Sequence, residues 1–88
     1  MNVEFKASFE KDVRAVKDKP LLRRVAELIE AVGRAQTPDE VGNLKKLKGG
    51  GGYFRVRIGA YRVGLIVQGE TVTFVRFLNR GEIYRYFP

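Results

Sequence analysis

The chain has 88 residues, 44% of them hydrophobic, with a formal net charge of +7 and neither cysteine nor histidine. That length makes a single domain, residues 1–88, with a modest core. The composition excludes disulfides, thiolate or imidazole metal sites and Ser–His–Asp catalysis. The charge is one-sided: residues 1–40 carry eight basic and eight acidic side chains, whereas residues 41–88 carry nine Lys or Arg against Glu70 and Glu82 alone. A merely solubilising charge would spread over both halves. A neutral half joined to a basic half instead implies a scaffold and a surface that faces a polyanion.

Taken in chain order, Val3 and Phe5 alternate with polar neighbours and predict a first strand. This start has no signal-peptide core, and no apolar run approaches the roughly 20 residues that span a membrane, so a cytoplasmic location with no membrane partner is expected. Ser8 is a candidate helix cap, with Glu10 and Asp12 in the first turn, and Phe9, Val13 and Val16 then form an apolar stripe. Asp18-Lys19-Pro20 breaks that helix and starts another, in which Leu21, Val25, Leu28 and Val32 mark the buried face. Thr37-Pro38-Asp39-Glu40 has capping-box spacing and predicts a short helical turn. Leu44-Lys45-Lys46-Leu47-Lys48 is followed by four consecutive glycines, Gly49 to Gly52, a run that reads as a flexible turn leading into a sheet.

From Tyr53 the period becomes two. Phe54, Val56 and Ile58 face the core; Tyr53, Arg55 and Arg57 face away. Gly59-Ala60 fits a two-residue hairpin turn, Tyr61–Val67 returns, Thr71–Leu78 follows, and Glu82–Phe87 is expected to be a last short strand. The predicted fold class is α+β: an N-terminal strand and two helices packed on one face of an antiparallel β-meander, with the other face open and basic.

The hairpin register sets Arg57 against Arg62 and Arg55 against Gly64. Opposed like charges destabilise a sheet by up to about 1 kcal/mol, an arrangement that makes sense when an anion lies between them. Gly64 is expected to leave room for that ligand. Arginine suits the task because its planar fork grips phosphate bidentately and stacks on bases. The aromatic residues Tyr53, Tyr61, Phe77, Tyr84, Tyr86 and Phe87 are interleaved with these charges, and exposed aromatics beside arginines hold unstacked RNA bases. Phe77 and Phe87 read as core; Tyr84 reads as functional, sharing one side of a regular last strand with Arg80 and Glu82.

In order and spacing, Leu47-Lys48-Gly49, Tyr53-Phe54-Arg55-Val56-Arg57, Tyr61-Arg62-Val63 and Asn79-Arg80-Gly81-Glu82-Ile83-Tyr84-Arg85 resemble the RelE/ParE toxins, a likeness that extends over essentially the whole chain. The resemblance implies a toxin of a toxin–antitoxin pair, with a cognate antitoxin as partner. RelE-like members cut mRNA in the ribosomal A site, using the substrate's own 2′-hydroxyl, without metal or other cofactor. Carried over by position, Arg57, Arg62, Arg80 and Tyr84 are the expected catalytic residues, and Lys45, Lys46, Lys48, Tyr53, Arg55 and Arg85 the expected RNA-binding ones. Many relatives have His at the position of Asn79 and Lys or Arg at that of Gly81, and some have lysines at those of Arg55 and Arg57, which leaves the general base unassigned. Two other readings share the fold: a ParE-like poison of DNA gyrase, and a passive RNA-binding module.

Overall fold

The computed structural model describes residues 1–88. Strand β1 (Asn2–Phe5) leads into helix α1 (Ala7–Arg14) and helix α2 (Lys19–Arg34). A 3-10 turn over Pro38–Glu40 precedes β2 (Leu44–Lys46), β3 (Tyr53–Ile58), β4 (Tyr61–Gln68) and β5 (Thr71–Asn79), and the chain closes with the one-turn helix α3 (Ile83–Tyr86). The strands form one sheet in the order β1-β5-β4-β3-β2. Pairings β2–β3, β3–β4 and β4–β5 are antiparallel, and β1 runs parallel to β5.

The helical periodicity holds. Phe9 of α1 and Val25, Leu28 and Val32 of α2 are buried against Val56, Ile58, Val63, Leu65, Val72, Phe74 and Phe77 of the sheet. The Phe9 ring lies tilted against that of Phe74, with ring centres 5.3 Å apart. Asp18 caps α2 by accepting from the Leu21 amide at 3.1 Å, and Pro20 sits in the first turn, where its missing N–H costs nothing.

Several expectations are corrected. Ser8 does not cap α1: Lys6 holds that position, and the Ser8 hydroxyl donates to the Val75 carbonyl at 2.6 Å. The reason is the sheet edge. Strand β1 covers only Thr71–Phe74 of β5, so the exposed backbone beyond needs other partners. α1 supplies them, with Ser8 on Val75 and the Asp12 carboxylate accepting from the Phe77 amide at 2.9 Å. β1 itself is an edge of the sheet, not a layer upon its face. Thr37 makes no side-chain cap, although the turn after it forms. The Lys-rich stretch before the glycines adds a strand to which the sequence reading gave no element: Leu44–Lys46 pairs with Phe54–Val56.

The largest correction is at the C-terminus. Glu82–Phe87 contains the helical turn α3, not a strand, and it folds back over the face that lacks α1 and α2. Ile83 and Phe87 are buried there, 0% and 3% exposed, outside the main core. Phe87 lies on Gly64: a β-carbon at Gly64 would stand 2.6 Å from the ring. The missing side chain at Gly64 therefore makes room for Phe87 rather than for a ligand. The second sheet face is not wholly open.

Candidate functional site

The β3–β4 hairpin sets the site. Gly59 takes φ +58°, a left-handed backbone that glycine adopts without strain, and the resulting register pairs Arg57 with Arg62, Arg55 with Gly64 and Ile58 with Tyr61. Arg57 is exposed and Arg55 half-buried. Arg62 is 9% exposed, the one charged residue that is buried as a whole. Its Nη1 donates to the carbonyls of Gly59 at 3.0 Å and Tyr61 at 2.9 Å, which anchors the guanidinium at the hairpin end.

Electrostatics report which groups surround it. Burial holds the Arg62 guanidinium below arginine's ordinary pKa, and the charges of Arg57, Arg55 and Arg80 push the same way, while Tyr84 opposes them. The chain has two ion pairs, Arg34 with Glu30 and Arg76 with Asp12. Arg55, Arg57, Arg62 and Arg80 have no acidic partner. Three cations whose charges bear on a fourth, none with an acidic partner, are an arrangement that an anion would relieve.

The C-terminal segment completes the group through a different local logic from the expected strand. Asn79 organises the turn: its Oδ1 accepts from the amides of Gly81 at 2.9 Å and Glu82 at 3.1 Å, and its Nδ2 donates to Glu82 Oε1 at 2.9 Å. The Arg80 amide donates to the Ala60 carbonyl at 2.8 Å, which joins this turn to the hairpin tip. Tyr84, 67% exposed, then meets Arg55, whose Nη1 donates to the Tyr84 hydroxyl and whose guanidinium lies 5.1 Å from the ring centre. Because α3 is helical, Tyr84 does not share a strand side with Arg80 and Glu82.

Of the expected RNA-binding residues, Lys45 lies opposite Arg55 and on its face of the sheet. Tyr53 is on that face too, edge-on to Phe87 with centres 5.6 Å apart. Lys46 pairs with Phe54 and so belongs to the opposite face. Lys48 lies in the loop after β2, and Arg85 is exposed on α3; neither makes a hydrogen bond or ion pair that ties it to the cluster. Tyr61 packs tilted against Phe77, ring centres 4.8 Å apart, and belongs to the helix-side core, not to the arginine face. Sequence reasoning missed a supporting clamp: Arg76 donates to Asp12 through Nε at 2.8 Å and Nη2 at 3.0 Å and covers the Tyr86 ring at 5.0 Å. The Asp12 hydrogen bonds, the largest influence on it, raise the Arg76 pKa. No local pattern signals a pair 64 residues apart.

Comparison with known proteins agrees with this architecture. The family described as the ParE toxin of type II toxin-antitoxin system, parDE, matches residues 3–84. Toxin RelE3 of Methanocaldococcus jannaschii is 37% identical over 89 residues, covering all of both chains. Among solved structures, the RelB-RelE antitoxin-toxin complex from Methanococcus jannaschii superposes with a TM-score of 0.82 at 35% identity, covering 97% of this chain and 99% of that one. The RelE-RelB complex from Pyrococcus horikoshii OT3 does so at 0.74 with 25% identity, covering 91% and 94%.

Proposed function

The chain belongs to the RelE/ParE superfamily of toxins from toxin–antitoxin systems, and on that footing we propose that it is an endonuclease that cuts messenger RNA on the ribosome with the substrate's 2′-hydroxyl as nucleophile. The observation that carries this reading is the convergence of Arg55, Arg57, Arg80 and Tyr84 on the buried Arg62, with no acid to neutralise them.

In the proposed reaction the 2′-oxygen bonds to phosphorus as the bond from phosphorus to the 5′-oxygen breaks. The 2′-proton passes to water and the 5′-oxygen gains a proton. Negative charge grows on the phosphoryl oxygens, and fixed guanidiniums are the strongest available stabilisers of it. Arg62, held by two carbonyls in a buried setting, and Arg80 are assigned to those oxygens, and Arg57 neutralises charge at the leaving oxygen. The Tyr84 oxygen already accepts from Arg55, so its own hydrogen is free to donate, which suits delivery to the 5′-oxygen. Lys45, Arg55 and Tyr53 hold the strand on the same face. The ribosome supplies much of the alignment, so free RNA is a poor substrate. A cytoplasmic setting and inhibition by a cognate antitoxin go with this reading; the structurally similar RelE chains are seen with RelB antitoxins.

The parDE family match favours a second reading, a toxin that poisons DNA gyrase without cutting RNA. Mapping message ends on purified ribosomes with the parent and an Arg80→Ala variant separates the two. New ends that the variant fails to make support the nuclease, and no cleavage by the parent supports gyrase.

A further inference from the structure

Ile83 and Phe87 are one helical turn apart and both buried, which leaves Tyr84, Arg85 and Tyr86 on the exposed crest of α3. Tyr84 and Tyr86 are two of the three large hydrophobic side chains that the fold leaves exposed, the third being Phe5. Each of the two rings has an arginine of the sheet over it. Arg55 of β3 lies 5.1 Å from the centre of Tyr84, and Arg76 of β5 lies 5.0 Å from that of Tyr86. Both arginines pair with Gly64 of β4, one from either side, so they share one row on one face of the sheet. Phe87 covers the glycine between them. Positions i and i+2 of a helix point about 200° apart, and the tyrosines accordingly flank the turn, one toward β3 and one toward β5.

Packing does not account for Tyr86. Arg76 is already satisfied by two hydrogen bonds to Asp12, and an aliphatic side chain would shield that pair as well. The guanidinium steadies one face of the ring, yet Tyr86 remains 50% exposed. We propose that Tyr86, backed by Arg76, is a base-stacking platform that takes an unpaired base of the RNA strand on the β5 side of the C-terminal turn, away from the reacting centre. This rests on the reading of the protein as one that acts on RNA. A ring held in place beforehand loses little freedom when a base settles on it. The charges of Asp12 and Glu82 both act on Arg76, so the spot has little net positive charge to draw a phosphate, and the ring is what it offers. Arg55 and Arg76 stand two strand spacings apart, about 10 Å at the backbone, so the base on Tyr86 belongs to a different nucleotide from the one beside Tyr84. Every base has a face to stack, so the platform adds affinity and register without sequence preference.

The chain has no tryptophan, so Tyr86→Trp puts a single indole at the platform and its emission reports that place alone. Titration with a short 2′-O-methylated oligoribonucleotide, which cannot be cut, at about 50 mM salt should quench this emission as the RNA binds. Anisotropy of the labelled oligonucleotide gives the affinity of each variant. Tyr86→Leu keeps bulk over Arg76 but removes the ring, and should bind roughly tenfold more weakly, within the range for loss of one stacked base. Tyr86→Phe should match the parent. Melting curves check that each variant is folded. Unquenched emission from RNA-bound Tyr86→Trp, or parent affinity in folded Tyr86→Leu, would overturn the platform and leave RNA binding intact. A parent that binds no oligonucleotide but still cuts message on ribosomes would overturn the platform alone. A parent that does neither would remove the platform and the functional reading together. Weaker binding of Tyr86→Leu to an antitoxin, with RNA affinity unchanged, would make this a protein-docking surface and overturn the proposal.

Discussion

The Arg55 guanidinium donates to the Tyr84 hydroxyl and lies 5.1 Å from the centre of its ring, tying strand β3 to the C-terminal turn at the cluster of arginines. With its oxygen occupied as an acceptor, Tyr84 keeps its hydrogen for donation, the role given to it in the proposed reaction. Tyr84→Phe is therefore expected to lower the rate of message cleavage by about 10²-fold, the size of a positioned acid, with substrate binding little changed. Single-turnover cleavage on ribosomes gives both quantities. Near-parent activity in Tyr84→Phe would mean that the ring only stacks on a base.

Gly64 and Phe87 are matched surfaces. Gly64→Ala would set a methyl group 2.6 Å from the Phe87 ring, so the C-terminal turn must lift. Overpacking of this kind costs about 1–3 kcal/mol, and activity should fall with it because the turn carries Arg80 and Tyr84. Adding Phe87→Leu to Gly64→Ala should recover part of the lost melting temperature. A double variant no more stable than Gly64→Ala alone would show that the contact does not set the position of the turn.

Asp12 serves both the Arg76 side chain and the Phe77 amide from a nearly buried position, its side chain 9% exposed. Asp12→Asn leaves the Arg76 cation without its partner and should destabilise the fold by roughly 1–3 kcal/mol, between the values for an exposed and a fully buried pair. Chemical denaturation measures it. A loss below about 0.5 kcal/mol, typical of an exposed pair, would contradict the role given to Asp12 at the sheet edge.

Arg62 should separate stability from activity. Burial, then Arg57 and Arg55, hold its guanidinium below arginine's ordinary pKa, so the unfolded chain binds that proton more firmly than the folded one. The folded state therefore carries an electrostatic cost at neutral pH, which declines only as pH climbs toward arginine's own titration range. Arg62→Met keeps much of the volume and removes the charge. Its melting temperature should equal or exceed the parent's while cleavage is lost. A fall of more than about 4 °C, close to 1 kcal/mol for a domain of this size, would show that Arg62 is retained for stability.

The parts of this site that were legible in the sequence are those governed by short-range rules. Gly59-Ala60 fixes a two-residue turn, and the turn fixes Arg57 opposite Arg62 and Arg55 opposite Gly64. The stripe of Val25, Leu28 and Val32 likewise identifies the core face of α2. Residues 82–87 misled because Glu82, Tyr84 and Tyr86 alternate with Ile83, Arg85 and Phe87, a period-two pattern. The competing signal was Ile83 and Phe87 four residues apart, which is helical spacing, and burial of both on a second face decides for the helix. The parallel pairing of β1 with β5 and the Asp12–Arg76 clamp join residues more than 60 positions apart. Those depend on the assembled sheet, where the short β1 leaves part of β5 for α1 to satisfy.

The central claim is that the uncompensated guanidiniums around Arg62 stabilise a phosphoryl group during RNA cleavage, and primer extension on ribosome-bound message tests it most directly. The parent protein should produce new message ends within the ribosomal A site. Arg62→Met and Arg80→Ala, each shown by melting to be folded, should produce none. Full cleavage by both folded variants would contradict the claim, and the gyrase reading would then take its place.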